Sequence, residues 1–375
     1  MSTPLVSVLI PTKNRPEFIA KLLDCYKYFS NENRIEFIFH ENVSDSSSLF
    51  KGLNKEIFRH IYISENLSMS GNFSGAINTA RGKFILITGD DDFILPEVID
   101  VAQYLKSHDI LAAVSPQVSY LWPGVGSKIG GKNTNGKTIF HPFYKKITFH
   151  ETSKGLDKIL SSGGAFFSYE IPSIYQGLVQ RELILKVTGE YGTCFPGFSP
   201  DLSSAIAIST KVKSFIKWSK PFVVSGASLG SGAAEGFSHS HNGPLADRKY
   251  IVDEIGSWPP MVPKFFSGQT IYSASTYISL NIFHPSKISL INYDALYAGM
   301  LVFNFRKSIA YLKGFIFITS WPKIFFYFFI YTCQRVSNYI FNIINNLMIP
   351  KFRKEPIVNT PKKAFIEISK KYKII

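Results

Sequence analysis

The sequence predicts an α/β fold with a mostly parallel central sheet flanked by helices, followed by a helical extension rich in aromatic and basic residues. In the first hundred residues, short apolar runs alternate with segments whose apolar residues recur at helical spacing, which is typical of a parallel sheet. Polar loops follow three of the apolar runs. Residues 301–375 carry thirteen Lys or Arg against two Asp or Glu, so much of the net charge of +14 lies in this extension.

The first strand is expected at residues 5–10, which are almost all apolar, as in a parallel strand covered on both faces. Three more strands and three helices are predicted in the first half: strands at 35–39, 61–63 and 83–88, and helices after Pro16, at about 71–80 and after Pro96. Ligands of such sheets bind beyond the carboxyl ends of the strands. The loops at 12–15, 41–45 and 90–92 are therefore expected to converge on one crevice.

The cysteine content indicates a reducing compartment. Cys25, Cys194 and Cys333 are widely spaced and form no CxxC pair, which argues against a disulfide framework or a structural zinc site. The apolar run at 5–10 is too short for a signal peptide and lacks a basic segment before it. We expect a cytoplasmic protein.

Asp90, Asp91 and Asp92 directly follow the predicted fourth strand. Three adjacent carboxylates repel one another, and a shared cation relieves that repulsion. A hard divalent ion such as Mg2+ takes one or two carboxylates and completes its coordination with phosphate oxygens. The triplet therefore predicts an Mg2+ or Mn2+ site, and a solvated acidic turn is the alternative.

Four segments together resemble the family 2 glycosyltransferases of the GT-A fold. They are Val6–Arg15, Glu41–Asp45, Gly71–Phe73 with Ala80–Ile85, and Asp90–Asp92, in that order. The resemblance covers about residues 5–105 and continues weakly to about 240. It implies inverting transfer of a sugar from a nucleoside diphosphate sugar, with a UDP-sugar as the favoured donor.

Carried over by position, the resemblance gives Asp92 as the direct metal ligand. The residues implied to bind the nucleotide sugar are Pro11, Thr12, Arg15, Glu41, Asn42, Asn72, Arg81, Asp90 and Asp91. The chain departs from the family pattern in the second-strand loop, where Glu41 replaces the usual Asp and Val43 replaces a frequent Gly or Ala. Ordinary turn chemistry is the alternative role for Thr12 and Asn42.

Inverting transfer needs a carboxylate that takes the proton of the acceptor hydroxyl. Asp201 stands at the start of a predicted helix and is our candidate base, with a plain N-cap as the alternative role. Glu170, Glu182 and Glu190 are the other carboxylates of this region. A Gly-rich loop at 225–243 carries His239 and His241, which are candidates to complete the metal shell.

The aromatic, basic tail predicts docking on an anionic membrane surface rather than binding of nucleic acid. The apolar run 315–333 contains Pro322 and Lys323, so two helices lying in the interface are favoured over one spanning helix. A buried helix pair, packed on the domain or in a homo-oligomer, is the alternative. Docking at the inner face of the cell membrane would suit a glycan or lipid-linked glycan acceptor.

These assignments divide the chain into a catalytic domain at 1–295 and a tail at 296–375. The domain comprises a nucleotide-binding half (1–110) and an acceptor-binding half (111–295), with an irregular insert at about 115–150. A catalytically inactive binding or scaffold protein of the same fold is the alternative function. A nucleotidyltransferase is disfavoured because the loop after the first strand contains no glycine.

Overall fold

We analysed a computed structural model, which describes residues 3–125, 136–140, 146–166, 170–231, 242–247, 258–315, 320–348 and 358–375. Its strands are β1 (Val6–Lys13), β2 (Ile35–Asn42), β3 (Phe58–Ile63), β4 (Phe84–Ile87), β5 (Phe93–Ile94), β6 (Ala112–Val114), β7 (Val118–Leu121), β8 (Lys137–Phe140), β9 (Thr148–Glu151), β10 (Gly177–Gln180), β11 (Ser214–Lys217), β12 (Val223–Ala227), β13 (Asn242–Pro244) and β14 (Phe265–Ser267). Its helices are α1 (Pro16–Tyr26), α2 (Met69–Thr79), α3 (Glu97–Ser107), α4 (Thr152–Ser161), α5 (Arg181–Tyr191), α6 (Pro200–Ile208), α7 (Gly268–Phe283), α8 (Tyr293–Leu312), α9 (Trp321–Met348) and α10 (Pro361–Lys371).

The central sheet has eight strands in the order β3-β2-β1-β4-β10-β6-β11-β9. The first four strands are parallel, and β1 lies between β2 and β4. Helices cover both faces of β1, and for this reason its sequence is apolar on both sides. The predicted α/β class and helix-flanked sheet are confirmed.

The second half of the sheet is mixed rather than parallel. β10 pairs antiparallel with both β4 and β6, and β11 pairs parallel with β6. The expected irregular insert at 115–150 is wrong for its described part, which contains β7, β8 and β9. Two of these strands pair with partners that are distant in the sequence, β7 with β12 and β9 with β11. Such pairing cannot be predicted from local composition.

Local signals explain where the helices around the crevice begin. Pro16 opens α1, where its missing N–H costs no hydrogen bond. The Ser68 hydroxyl caps α2 by accepting a hydrogen bond from the Gly71 N–H, so this helix starts two residues before the predicted boundary. Ser267 and Thr270 form a reciprocal capping box at the start of α7.

The helices α8 and α9 pack against each other and form a hairpin on a third apolar cluster, which includes Phe265 and Leu296. α8 has a kink at Asn304. Pro322 lies in the first turn of α9, so it starts that helix instead of interrupting one. Within the described ranges, no helix combines the length and apolarity needed to cross a bilayer.

The predicted tail at 296–375 is not one unit. After the α8–α9 hairpin, residues 358–375 return to the first half of the chain and join its apolar core. α10 packs on α1, the Phe365 ring lies 6.5 Å from that of Phe29, and the Tyr120 hydroxyl donates to the Val358 carbonyl at 2.7 Å. In the sequence, basic residues surround the apolar positions of α10, and its packing on α1 was therefore not predicted.

Candidate active site

The acidic triplet is buried at the carboxyl end of β4. Asp90, Asp91 and Asp92 are 5%, 6% and 1% exposed, so the alternative of a solvated turn is wrong. β1 and β4 are neighbours in the sheet, which brings the loop after β1 against the triplet. The convergence of these two loops on one crevice is confirmed.

Asp90 is held by the loop that follows β1. The Thr12 hydroxyl donates to Asp90 Oδ2 at 2.6 Å, and the Arg15 guanidinium forms an ion pair with Oδ1. Arg15 also lies over the Phe18 ring, 3.7 Å from its centroid, and donates to the Ser228 hydroxyl beyond β12. The guanidinium therefore links both halves of the domain across the crevice.

Asp91 is anchored through one carboxylate oxygen. Its Oδ2 accepts hydrogen bonds from the Ser228 N–H at 3.1 Å and the Ser228 hydroxyl at 2.6 Å. Trp122 Nε1 donates to the Asp91 carbonyl, and any Cβ at Gly226 would lie 1.8 Å from the same carbonyl oxygen. Within the part of the chain that the structure describes, no hydrogen bond reaches Asp91 Oδ1. This oxygen retains its full capacity to bind a cation.

Asp92 accepts four hydrogen bonds, three of them on one oxygen. Its Oδ2 accepts from the Gly89 N–H, the Gln176 amide and the Tyr175 hydroxyl, and its Oδ1 accepts from the Gly226 N–H at 2.7 Å. Oδ1 therefore keeps one lone pair for a cation, and the assignment of Asp92 as a metal ligand stays a prediction. The geometry gives this carboxylate the role of joining β4, β10 and β12.

Among the residues that the structure describes, one guanidinium pairs with the triplet, and of the three carboxyl groups it contacts that of Asp90 alone. Burial and the neighbouring Asp91 raise the pKa of Asp92 to about 7. Burial also raises the pKa of Asp90 to about 7, against the opposing effect of Arg15. Three carboxylates with one guanidinium favour a bound cation, and the free Oδ1 of Asp91 provides a hard oxygen ligand for Mg2+ or Mn2+.

Asp201 lies close to the triplet through Tyr175. The Tyr175 hydroxyl donates to Asp92 at 3.2 Å, and burial together with the charges of Asp92, Asp91 and Asp201 raises its pKa. Burial also raises the pKa of Asp201, against hydrogen bonds from Ser199 and Tyr272. Ser199 is the N-cap residue of α6 and Asp201 lies in its first turn, so the plain N-cap alternative is wrong.

The remaining carboxylates of the second half lie in other surroundings. Glu170 pairs with Lys158 and Glu190 pairs with Lys211, while Glu182 is exposed on α5. Among these four, Asp201 is the carboxylate whose charge acts on Tyr175 together with those of Asp91 and Asp92.

Pro11 and Asn72 lie beside the crevice and face its first loop. Pro11 is a buried residue of β1, next to Thr12. The Asn72 amide donates to the Thr12 carbonyl at 3.2 Å, so α2 supports the loop from below. Both residues shape the pocket wall through the backbone.

Glu41 and Asn42 lie in β2 beside Thr12 and Lys13 of β1, and in this structure their side chains bind other groups of the protein. Both are fully buried. The Glu41 carboxylate accepts from Ser44, Ser46 and His60, because Val43 adopts a positive φ of 74° that turns the chain back over it. The Asn42 side chain binds the backbone of residues 63–67.

Arg81 lies at the end of the sheet opposite to the triplet. This position corrects its assignment to the nucleotide-sugar site. It precedes β4, and its Nε donates to Glu36 Oε2 at 2.9 Å at the start of β2. Spacing along the chain did not show that Arg81 comes before the strand and Asp90 after it. His239 and His241 lie outside the described residues.

A second group of side chains could also hold a metal. Ligand atoms of Glu41, Asp45 and His60 lie within 4.8 Å of one another. Glu41 and His60 already form a hydrogen bond at 2.8 Å. The group supports the loop after β2 and is separate from the triplet.

Three residues that the sequence did not single out complete the crevice: Ser228, Tyr175 and Gln176. Ser228 is 137 positions away from Asp91 in the chain, and Gln176 is 84 positions away from Asp92. Gln176 adopts a positive φ of 58°, a conformation that costs energy for a residue other than glycine. No local pattern marks these residues, since only the folded sheet brings them together.

Comparison with known proteins shows a family similarity in the first part of the chain. Residues 7–169 match the profile of glycosyl transferase family 2. An uncharacterized glycosyltransferase of Methanocaldococcus jannaschii is 31% identical over 107 residues, which is 27% of this chain and 36% of that protein. The match thus spans about a third of that relative's length.

Two solved structures are also similar. S. aureus TarS 1–349 in complex with UDP-GlcNAc is 16% identical, covers 85% of this chain and 78% of its own, and has a TM-score of 0.46. The mannosyltransferase PcManGT from Pyrobaculum calidifontis, in complex with GDP-Man and Mn2+, is 15% identical, covers 94% of this chain and 89% of its own, and has a TM-score of 0.39. The segment 7–169, which contains the acidic triplet, is therefore similar to glycosyl transferase family 2, and this match covers less than half of the chain.

Proposed function

We propose that this chain is a metal-dependent, inverting glycosyltransferase that moves a sugar from a nucleoside diphosphate sugar to an acceptor hydroxyl. A UDP-sugar is the favoured donor, and a glycan or lipid-linked glycan of surface polysaccharide synthesis is the favoured acceptor. One observation carries the proposal: three buried carboxylates lie together at the end of β4, inside the segment that matches the family model, and a guanidinium pairs with only one of them.

Mg2+ or Mn2+ would be held by Asp91 through its free Oδ1, together with donor phosphates. The ion would neutralise the charge that grows on the departing diphosphate. Asp92 keeps the triplet in place through its four donors, and Arg15 and Thr12 set the orientation of Asp90. This arrangement makes the middle carboxylate the metal ligand and the last one its support.

Asp201 would take the proton of the acceptor hydroxyl as that oxygen attacks the anomeric carbon. Its raised pKa, caused mainly by burial, makes it a stronger base than an ordinary aspartate. Tyr175 lies among the carboxylates of Asp201, Asp91 and Asp92. The donor sugar would therefore occupy the space between the triplet and α6.

The α8–α9 hairpin would dock the enzyme on an anionic membrane. Phe325, Phe326 and Phe329 are 65%, 60% and 68% exposed on α9. Lys313, Lys323 and Arg335 lie along the same hairpin and would face anionic headgroups. Docking would keep the crevice near a lipid-linked acceptor at the cytoplasmic face. The alternative role of the same surface is association of two copies of the chain.

The test is donor turnover with Mg2+ or Mn2+ in the wild type and in Asp91→Asn. We expect Asp91→Asn to lower kcat/KM by about 10³-fold, as loss of one electrostatic contact to the transition state does. Glu182→Gln, which changes an exposed carboxylate on α5, is the matched control and should retain full turnover. A panel of nucleoside diphosphates then identifies the base.

The outcomes separate enzyme from scaffold. Turnover that survives Asp91→Asn unchanged removes the metal assignment. A wild type that binds a nucleoside diphosphate but never transfers or hydrolyses a sugar is the scaffold alternative.

A further inference from the structure

His40 lies in β2, outside the crevice, and is almost fully buried at 2% exposure. Its Nδ1 lies 2.6 Å from the Asn72 amide oxygen. The Asn72 amide nitrogen donates to the Thr12 carbonyl at 3.2 Å, and the Thr12 hydroxyl donates to Asp90 Oδ2 at 2.6 Å. A continuous chain of hydrogen bonds therefore leads from His40 to the acidic triplet.

The direction of each bond in this chain is determined by its chemistry. Since the Asn72 nitrogen serves the Thr12 carbonyl, the Asn72 oxygen must accept from His40. Nδ1 of His40 is therefore its protonated nitrogen. Burial lowers the pKa of His40, so the ring is neutral and Nε2 carries no proton.

Packing holds the ring in this orientation. Gly75 lies one helical turn after Asn72 on α2, and a Cβ at this position would lie 3.0 Å from Cε1 and 3.2 Å from Nε2 of His40. The absence of a side chain at Gly75 thus lets α2 approach β2 closely enough for Asn72 to reach both His40 and Thr12. A rotated ring would leave the buried Asn72 oxygen without its donor, which is costly.

We propose that His40 is a positioning residue of the donor site: through Asn72 it fixes the Thr12 loop, so that Thr12 and Arg15 hold Asp90 in its place beside the donor. The inference rests on the proposed function, because Asp90 matters only if the crevice takes a nucleotide sugar. His40 does not contact the donor in this proposal. Its effect reaches Asp90 through Asn72 and Thr12.

The experiment measures the affinity for UDP with Mg2+ by calorimetry, well below the melting temperature of each variant. His40→Leu removes the donor and is expected to weaken binding about tenfold, the cost of one unpaired buried acceptor. His40→Asn returns an amide N–H near the position of Nδ1 and should restore binding to within about threefold, as its geometry resembles the Nδ1 side of the ring. Gly75→Ala, which pushes on the ring, should weaken binding like His40→Leu.

His284→Leu is the control for loss of a partly buried histidine. His284 follows α7 and its Nε2 lies 2.8 Å from the Ser209 hydroxyl, far along the chain from the triplet. We expect this variant to lose stability and to keep its UDP affinity. Equal losses of affinity in His284→Leu and His40→Leu would overturn the inference.

A double-mutant cycle tests whether the effect passes through Thr12. Thr12→Val breaks the last bond of the chain, so adding His40→Leu to it should cost little more. Additive losses would overturn the inference. If the wild type itself does not bind UDP, the proposed function fails and takes the inference with it; if the wild type binds and His40→Leu binds equally well, only the inference fails.

Discussion

The acidic crevice and the α8–α9 hairpin depart from the usual distribution of side chains in opposite directions. The crevice buries three carboxylates, although charged groups are almost never buried without partners. The hairpin exposes Phe325, Phe326 and Phe329, although large apolar side chains usually form the core. In the proposed function each region takes a partner, and the two partners differ in kind.

The difference lies in how firmly each region fixes its partner. Hydrogen bonds to Asp90, Asp91 and Asp92 come from three other segments of the chain, around Thr12, Gln176 and Gly226, which suits a small ligand of defined geometry. The exposed rings of α9 form no such network. They suit an extended apolar surface, where contact area matters more than orientation.

The largest effect is expected on the crevice side, from loss of the candidate base. Asp201→Asn keeps the size of the side chain but cannot take a proton, so kcat should fall by about 10²–10⁴-fold. Affinity for UDP should change little, because Asp201 is not expected to contact the nucleotide. Steady-state kinetics with matched binding measurements check this, and a kcat within tenfold of wild type would transfer the role to another carboxylate.

The next largest effect is expected on the free energy of unfolding, where a buried and an exposed phenylalanine are compared. Phe365 is 2% exposed on α10 and Phe329 is 68% exposed on α9. Phe365→Ala should lower the free energy of unfolding by about 3–5 kcal/mol, the usual cost of an emptied core position. Phe329→Ala should change it by no more than about 0.5 kcal/mol. Urea denaturation of both variants measures the difference, and equal costs would mean that the α9 surface is covered within the protein.

The hairpin's partner is tested by vesicle flotation. Phe325→Glu with Phe329→Glu places two charges on adjacent turns of α9, and partitioning onto anionic vesicles should fall by about tenfold or more as apolar contact is lost. Gln334→Glu adds charge elsewhere on the same helix and is the control. If the double variant floats like the wild type but changes from oligomer to monomer, the exposed rings serve association of two copies.

The smallest effect is expected in the loop after β2. Val43 has a φ of 74°, and the Ser44 N–H donates to the Asn42 carbonyl across it at 3.0 Å, so this β-branched residue occupies a strained three-residue turn. Val43→Gly should relieve the strain and raise the free energy of unfolding by up to about 1 kcal/mol. Val43→Ala is the control, since it keeps the Cβ. A destabilised Val43→Gly variant would show that the turn is not strained.

The sequence predicted the features that depend on neighbouring residues. The strands β1, β2 and β4, the cap region of α3 and the burial of Asp90–Asp92 all follow from apolar runs and from the residues that end them. The misplaced residues depended on distant contacts. Arg81 was placed by its distance in sequence from Asp90, although it precedes β4 and its partner Glu36 is 45 positions away. The hydrogen bond between Glu41 and His60 was not predicted either.

The partners of the triplet show the same limit. Thr12 and Arg15 were identified because they follow a strand that the pattern revealed. Ser228 and Gln176 were not identified, because no sequence pattern near them indicates contact with Asp91 or Asp92. Pairing of β10 and β12 with the rest of the sheets is the step that brings them together, and it is decided by side chains throughout the core.

The return of α10 to α1 has a consequence for how the protein is made. During synthesis the α8–α9 hairpin leaves the ribosome before residues 358–375, which supply Phe365 and Ile368 to the core of the first half. The nucleotide-binding half therefore lacks part of its apolar packing while the exposed rings of α9 are already outside. If α9 docks on a bilayer as proposed, that contact can form before the core around α1 is fully packed.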